Sequence, residues 1–181
     1  GGGCAGISVA SRINSLKSDL SISIIEPSEK SLYQAAWTLV GAGAYEVGNT
    51  IKPMSEVMPS YVKWIKEHAE EFMPDSNSVK TNSNTYTYDY LVVCPGLKLN
   101  FDGVAGLKES LGKNNVCTNY SAEMATYTWE CLKNLDGGTL LFTEPPMPIK
   151  CAGAPQKIAY LAADHLKKKG KLNDSHLEFL C

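Results

Sequence analysis

The chain has 181 residues, 44% of them hydrophobic and 20% charged, with a formal net charge of −2. This balance is typical of a globular protein with a core. The sequence contains no extended Lys/Arg block, which argues against a nucleic-acid-binding protein. The six cysteines are scattered and form neither a CxxC pair nor a zinc-type pairing with histidine. We therefore predict free thiols, no metal site and no nucleic-acid partner.

The first 30 residues have the pattern of the end of a β–α–β unit. Apolar residues recur at helical spacing after a glycine-rich start: Ile7, Ala10, Ile13 and Leu16. Residues 20–25 then alternate and become fully apolar, as expected of a parallel strand, and Glu26 with Pro27 closes the strand. The strand expected before Gly1 is not in the sequence, so we predict an incomplete first unit.

The middle of the chain gives weaker signals. Residues 31–60 show no clear period and are predicted to be loops with at most one short helix. Residues 61–72 fit a helix or a strand equally on their own pattern. Asparagine-rich turns predict a hairpin of 78–81 and 85–93, whose end, 90–93, is expected to be a buried strand.

The last third predicts a second β–α–β unit. A helix is expected at 121–134, a strand at Gly138–Thr143, a helix from about Pro155 to Gly170, and a strand beginning at 177. We assign 1–136 to a partial Rossmann-like domain with a β-hairpin insertion and 137–181 to the start of a second such domain. The expected class is α/β, incomplete at both ends.

The glycines at the start have the spacing of the dinucleotide fingerprint. Gly1, Gly3 and Gly6 fit G-x-G-x-x-G, in which glycines allow a tight turn, close approach of a pyrophosphate and close helix–strand packing. Glu26 ends the next strand, where a carboxylate binds the ribose hydroxyls of adenosine. A merely solvated carboxylate is the alternative for Glu26. Together these residues predict a dinucleotide site.

A second segment fits the same kind of site. Residues 90–96 end in Cys94-Pro95-Gly96 and are similar to the second flavin-contact segment of flavoproteins with two dinucleotide-binding domains, in which Gly96 would contribute backbone. The plain alternative is a buried strand that meets a turn.

Cys151 has the surroundings of a reactive thiol. It follows Lys150 and precedes a predicted helix, and both the lysine charge and the helix dipole favour a thiolate. On these residues alone, an unreactive loop cysteine remains the alternative.

Several sequence segments resemble those of a known enzyme family. Tyr33-Gln34 with 37–43, and Lys150-Cys-Ala-Gly-Ala-Pro-Gln-Lys-Ile158, resemble sulfide:quinone oxidoreductases of the mitochondrial kind, as do 25–29 and 119–121. The resemblance extends over 1–181. Ala35 stands where the family has a proline and Ser31 where it commonly has a histidine, which leaves the local loop shape open.

The resemblance implies an enzyme that holds FAD, oxidises sulfide at a cysteine pair with formation of a persulfide, and reduces a ubiquinone-like membrane quinone. Cys151 matches the first cysteine of the pair, and its partner belongs to a region outside this sequence. The implied location is the mitochondrial inner membrane, contacted through other regions. The implied acceptor of the sulfane sulfur is a small nucleophile such as glutathione or sulfite.

The same matching implies further FAD contacts and the roles of the other cysteines. The additional contacts are Cys4, Ala5, Gln34 and the backbone of Ala69. The family has a strand near Ala69, which favours strand for 61–72. Cys117 matches a position where some bacterial members carry an extra cysteine, and its redox role stays open. Cys4, Cys131 and Cys181 are expected to be structural thiols.

Two other classes of protein are alternatives. A type II NADH dehydrogenase would need a second glycine fingerprint after 140–142, where the sequence has prolines and Cys151 instead. A non-enzymatic nucleotide-binding module is the other alternative.

Overall fold

The computed structural model describes residues 1–181 and divides into two compact units. The first unit comprises Gly1–Leu32 with Lys52–Gly96, and the second comprises Tyr33–Ile51 with Leu97–Cys181. None of the helices combines the length and apolarity that crossing a membrane requires.

The helices and strands are as follows. The α-helices are α1 (Cys4–Leu16), α2 (Trp37–Gly41), α3 (Met54–Val57), α4 (Leu107–Ser110), α5 (Ala122–Asn134) and α6 (Gly153–Lys168). The strands are β1 (Ile22–Ile25), β2 (Lys30–Leu32), β3 (Ile51–Pro53), β4 (Val62–Ile65), β5 (Ala69–Met73), β6 (Ser78–Thr81), β7 (Thr85–Thr87), β8 (Gly138–Thr143) and β9 (Ser175–Leu180).

The first unit contains the predicted helix and parallel strand. Strand β1 pairs in parallel with β4, with Ile22 opposite Val62, and Ile24 and Ile65 are buried. Helix α1 buries Ala10, whereas Leu16 at its last position is 70% exposed. The helical period therefore identified the helix, although its last apolar residue does not enter a core.

Residues 61–72 form strands. Strand β5 pairs antiparallel with β6, and β6 with β7, so the predicted hairpin is present. The β5–β6 register shifts between Ala69 and Glu71, which is an irregularity of the β-bulge kind. Residues 31–60 are more ordered than predicted, since they contain α2, α3 and short strands.

The prediction of a buried strand at 90–93 is wrong for this structure. Strand β7 ends at Thr87, and the residues after Tyr88 are irregular. Tyr90 is 91% exposed and Val92 and Val93 are also exposed. No strand of the chain pairs with this segment, and its apolar side chains are largely exposed.

The second unit contains the predicted β–α–β unit. Strands β8 and β9 run parallel from the Gly138–Ser175 pair to the Thr143–Leu180 pair. Helix α6 begins at Gly153, so Pro155 is its third residue and not its first, and Gly170 just beyond its end has φ +72°.

Two small clusters form the core of this unit. Leu132, Ile158 and Ala162 pack together under β8, with Trp129 at their edge, and Trp37, Val40 and Ala125 form the other cluster. The predicted boundary between residues 136 and 137 stays a prediction.

Candidate functional site

Residues 1–6, which we call the glycine loop, pack so that backbone atoms approach each other closely. A methyl group on Gly1 would overlap the carbonyl oxygen of Cys94, and one on Gly6 would overlap the carbonyl oxygen of Gly1. Gly3 differs, since a methyl group there meets no atom within 4 Å. Gly1 and Gly6 are thus required for packing, whereas open space lies beside Gly3.

Helix α1 begins directly at this space. Gly3 is the N-cap residue and provides no side-chain cap, and the first turn contains no acidic residue. Cys4 and Ala5 are exposed and occupy the first two helical positions, where backbone N–H groups lack a partner within the helix. Free N–H groups at a helix start bind phosphate. These residues therefore fit the pyrophosphate of a dinucleotide such as FAD.

Glu26 lies beside the glycine loop, immediately after β1. Its carboxylate accepts a hydrogen bond from the backbone N–H of Gly2 at 2.8 Å and another from that of Ser28 at 2.8 Å. Each oxygen receives one bond, so further lone pairs are free to accept ribose hydroxyls. Trp64 Nε1 donates to the Glu26 carbonyl at 2.8 Å and fixes this strand end.

The segment 94–96 contacts the same loop. Cys94 lies against Gly1, and Gly96 has φ +75°, a left-handed conformation that favours glycine. The first unit therefore brings together six of the predicted contacts with Glu26: Gly1, Gly3, Cys4, Ala5, Gly6 and Gly96.

Ala69 belongs to the same unit but to the three-stranded sheet. It pairs with Thr81 beside the register shift. Glu67, two residues earlier, accepts hydrogen bonds from Thr81 Oγ1, from Asn84 Nδ2 at 2.7 Å and from Tyr86 OH at 2.9 Å. Chiefly the Thr81 bond holds the pKa of Glu67 below its usual value. This network fixes the strand that carries Ala69.

In the second unit, Cys151 is exposed and precedes the N-cap residue of α6. It has φ +59°, which is uncommon for a residue with a side chain. Its carbonyl accepts hydrogen bonds from Ala154 N at 2.9 Å and from Tyr120 OH at 3.3 Å. Helix α6 has no side-chain cap and no acid in its first turn, so its positive end remains open to an anionic sulfur.

Lys150 is held by three neighbours. Its Nζ donates to Gln34 Oε1 and lies 5.5 Å from the centre of the Trp37 ring and 5.8 Å from that of Tyr120. Partial burial lowers the pKa of Lys150, and the neighbouring Cys151 acts in the opposite direction. Burial, followed by the charges of Cys151 and Glu144, raises the pKa of Tyr120.

We call residues 150–152 the reactive-cysteine loop. The structure places Gln34 against this loop, through the hydrogen bond from Lys150. Sequence reasoning did not single out Trp37 or Tyr120 as functional. Both lie within the strings that carry the family resemblance, but no spacing rule connects positions 37, 120 and 150.

Cys117 has a different environment. Burial is the largest influence on its thiol and raises its pKa, and a hydrogen bond with Thr128 acts against this. Burial of this kind disfavours a thiolate. A redox role for Cys117 stays an open prediction.

Comparison with known proteins gives the following relatives. No protein-family model matches the sequence. The chain is 39% identical over 180 residues to the mitochondrial sulfide:quinone oxidoreductase of Mus musculus and 43% identical over 182 residues to that of Dictyostelium discoideum. Each match covers 99% of the chain and 40% of the relative, so the chain spans about two fifths of the length of these relatives.

A solved structure agrees with these relatives. The sulfide:quinone oxidoreductase of Aquifex aeolicus superposes with a TM-score of 0.80 at 29% identity, over 99% of this chain and 41% of that one. The similarity confirms the predicted α/β class of a Rossmann-like flavoprotein fragment.

Proposed function

Because the chain is homologous along its whole length to the sulfide:quinone oxidoreductases, we propose that this protein oxidises sulfide with FAD and passes the electrons to a quinone. The observation that carries the proposal is Cys151, an exposed thiol that follows Lys150 in the chain and precedes the uncapped start of α6. This arrangement suits a nucleophilic thiolate.

The residues that would hold FAD follow from the geometry of each unit. The N–H groups at Cys4 and Ala5 would bind the pyrophosphate above Gly1, Gly3 and Gly6, and Glu26 would bind the ribose. When bound, FAD supplies a two-electron acceptor.

Further contacts would complete the FAD site. The Gly96 backbone, the Ala69 backbone and the Gln34 amide are proposed to contact other parts of the cofactor. The hydrogen bonds of Glu67 fix the strand that carries Ala69, and the hydrogen bond from Lys150 holds the Gln34 amide in place.

The sulfur chemistry would begin at a disulfide between Cys151 and a second cysteine, which the family resemblance puts outside residues 1–181. Hydrosulfide attacks one sulfur, so one S–S bond forms and another breaks. One cysteine then carries a persulfide and the other leaves as a thiolate. Lys150 stabilises the anionic sulfur at Cys151.

The products and location complete the proposal. The outer sulfur of the persulfide would leave to a small nucleophile such as glutathione or sulfite, which frees the second cysteine as a thiolate. Re-formation of the disulfide from the two thiolates would release two electrons, which would pass by way of FAD to a ubiquinone-like quinone. We place the protein at the mitochondrial inner membrane, since the Mus musculus and Dictyostelium discoideum relatives are mitochondrial.

The test is a spectroscopic experiment on the full-length protein. We expect the absorbance of bound flavin, its anaerobic loss on addition of sulfide, and its recovery on addition of a quinone. Loss of absorbance with NADH and not with sulfide would instead support an NADH dehydrogenase. Absence of bound flavin would support a non-enzymatic module. The irregular, proline-containing segment after β8 argues against NADH, because it offers no glycine loop for a second pyrophosphate.

A further inference from the structure

We propose that Tyr120 is a positioning residue for Cys151, acting through the backbone of Cys151 and through the ammonium group of Lys150. The proposal rests on the proposed role of Cys151 in sulfide oxidation. It adds a residue that acts on the reactive-cysteine loop from another part of the second unit.

The first step is that Tyr120 is itself well anchored. Its backbone N–H donates to Thr118 Oγ1 at 3.2 Å. The next residue, Ser121, caps α5 by accepting a hydrogen bond from Met124 N at 3.1 Å. Tyr120 therefore lies at a fixed start of a 13-residue helix, which limits the movement of its ring and hydroxyl group.

The second step concerns the backbone of Cys151. Its φ of +59° is disfavoured by its side chain and needs contacts that hold it. The Cys151 carbonyl receives one hydrogen bond from within its own turn, at Ala154 N, and one from outside, at Tyr120 OH. The Tyr120 hydroxyl thus connects the strained backbone of Cys151 to the residues that precede α5.

The third step concerns charge. Lys150 Nζ lies over the rings of Tyr120 and Trp37 and donates to the neutral Gln34 amide, and no carboxylate forms an ion pair with it. Ring faces and an amide oxygen hold an ammonium group without neutralising it. The charge of Lys150 therefore remains available to the sulfur of Cys151. Glu144 is the other ionisable group near Tyr120.

The experiment measures alkylation of Cys151 by iodoacetamide in the reduced full-length protein, with mass spectrometry to identify the labelled cysteine. The rate is compared at about pH 6, where a thiolate needs stabilisation, and at about pH 9.5, where an ordinary thiol is ionised. Tyr120→Phe removes the hydroxyl and keeps the ring, and Tyr120→Leu removes both. Tyr127→Phe is the matched control, because it removes another tyrosine hydroxyl from the same unit.

We expect Tyr120→Phe to slow alkylation at the lower pH about three-fold, as for loss of a modest hydrogen bond. Tyr120→Leu should slow it about five- to ten-fold, because a cation–π contact is lost as well. Rates at the higher pH should agree within about two-fold, and Tyr127→Phe should match the unchanged protein. Combining Tyr120→Leu with Lys150→Gln should give less than the product of the two single effects, since one acts partly through the other.

Wild-type rates for both Tyr120 variants at the lower pH, with Lys150→Gln still slow, would overturn the proposal. A fall in thermal stability alone, without a change in the ratio of the two rates, would likewise show a purely structural tyrosine. Failure of the proposed function is a separate result, because it appears as absent sulfide-dependent loss of flavin absorbance in the unchanged protein.

Discussion

The glycine loop before α1 and the reactive-cysteine loop before α6 share one backbone feature, which we propose serves different chemistry in each. Both helices begin without a side-chain cap and without an acid in the first turn. Helix α5, by contrast, is capped by Ser121 and carries Glu123 in its first turn. We propose that the two uncapped starts serve anion binding, whereas Ser121 satisfies a free N–H group at the start of α5 and stabilises the fold.

The residues before each uncapped helix differ, and we expect them to determine which anion fits. The glycine loop leaves open space at Gly3 and exposes backbone N–H groups, as a phosphate requires. The reactive-cysteine loop instead carries the exposed thiol of Cys151, with Lys150 as the preceding residue. A helix dipole alone contributes only about 0.3–1 kcal/mol at an exposed site, so each loop needs these additional groups.

The largest effect should come from filling the glycine loop. Gly6→Ala would push a methyl group into the carbonyl oxygen of Gly1, and overpacking of this kind costs about 1–3 kcal/mol. We expect a lower free energy of unfolding and loss of FAD. Gly3→Ala is the control, since its methyl group has room in the fold, and it should weaken FAD binding with little effect on stability. Equal stability of the two variants, measured by denaturant unfolding, would contradict this distinction.

The next effect concerns the ribose site. Glu26→Ala should weaken FAD binding by about 1.5–3 kcal/mol, the usual contribution of hydrogen bonds to a charged group. Titration of the apoprotein with FAD measures the change. Glu29→Ala, which removes an exposed carboxylate paired with Lys66 near the same strand end, should leave FAD affinity unchanged. Unaltered affinity in Glu26→Ala would remove Glu26 from the site.

A smaller effect is expected at the capped helix. Ser121→Ala removes the hydrogen bond from Met124 N and should lower the free energy of unfolding by about 1 kcal/mol. Ser18→Ala, at an exposed serine outside any helix or strand, is the control. If Ser121→Ala unfolds at the same denaturant concentration as the unchanged protein, the contrast between capped and uncapped helices loses its energetic basis.

The smallest effect is a pH dependence of the hairpin in the first unit. The hydrogen bond from Thr81 chiefly lowers the pKa of Glu67 in the folded state. Its contribution to stability is therefore present above the unfolded pKa of about 4.5 and is lost as pH falls through the lower folded value. Protection of the β6 and β7 amides from exchange, measured relative to the intrinsic exchange rate at each pH, should fall below about pH 4.5. The Glu67→Gln variant should lack this fall, and an identical pH profile of protection in both proteins would contradict the assignment.

Elements with a strong local pattern could be predicted from the sequence. Helix α5 and the β8–α6–β9 unit follow from apolar periodicity and from Gly170 at the helix end. The segment 90–93 has an apolar pattern typical of a buried strand, yet it lies exposed here, because burial depends on a partner strand that periodicity cannot supply. Residues 61–72 needed the family resemblance, since a short apolar run fits two periods.

The candidate site likewise has one part that follows from local sequence and one part that depends on tertiary contacts. Glu26 and the glycines follow a fixed sequence spacing, which made the contact between Glu26 and the glycine loop predictable. The contacts of Lys150 with Gln34, Trp37 and Tyr120 join distant positions through tertiary packing, and only the structure shows them.

The central claim, that Cys151 carries the sulfur chemistry, is tested most directly by sulfide-dependent quinone reduction in the full-length protein with Cys151→Ser. Serine is nearly isosteric but cannot hold a persulfide, so we predict no turnover with FAD still bound. Cys131→Ser, in α5, is the matched control and should retain nearly normal turnover. Normal turnover in Cys151→Ser would contradict the account and would leave only a flavoprotein of unknown electron donor.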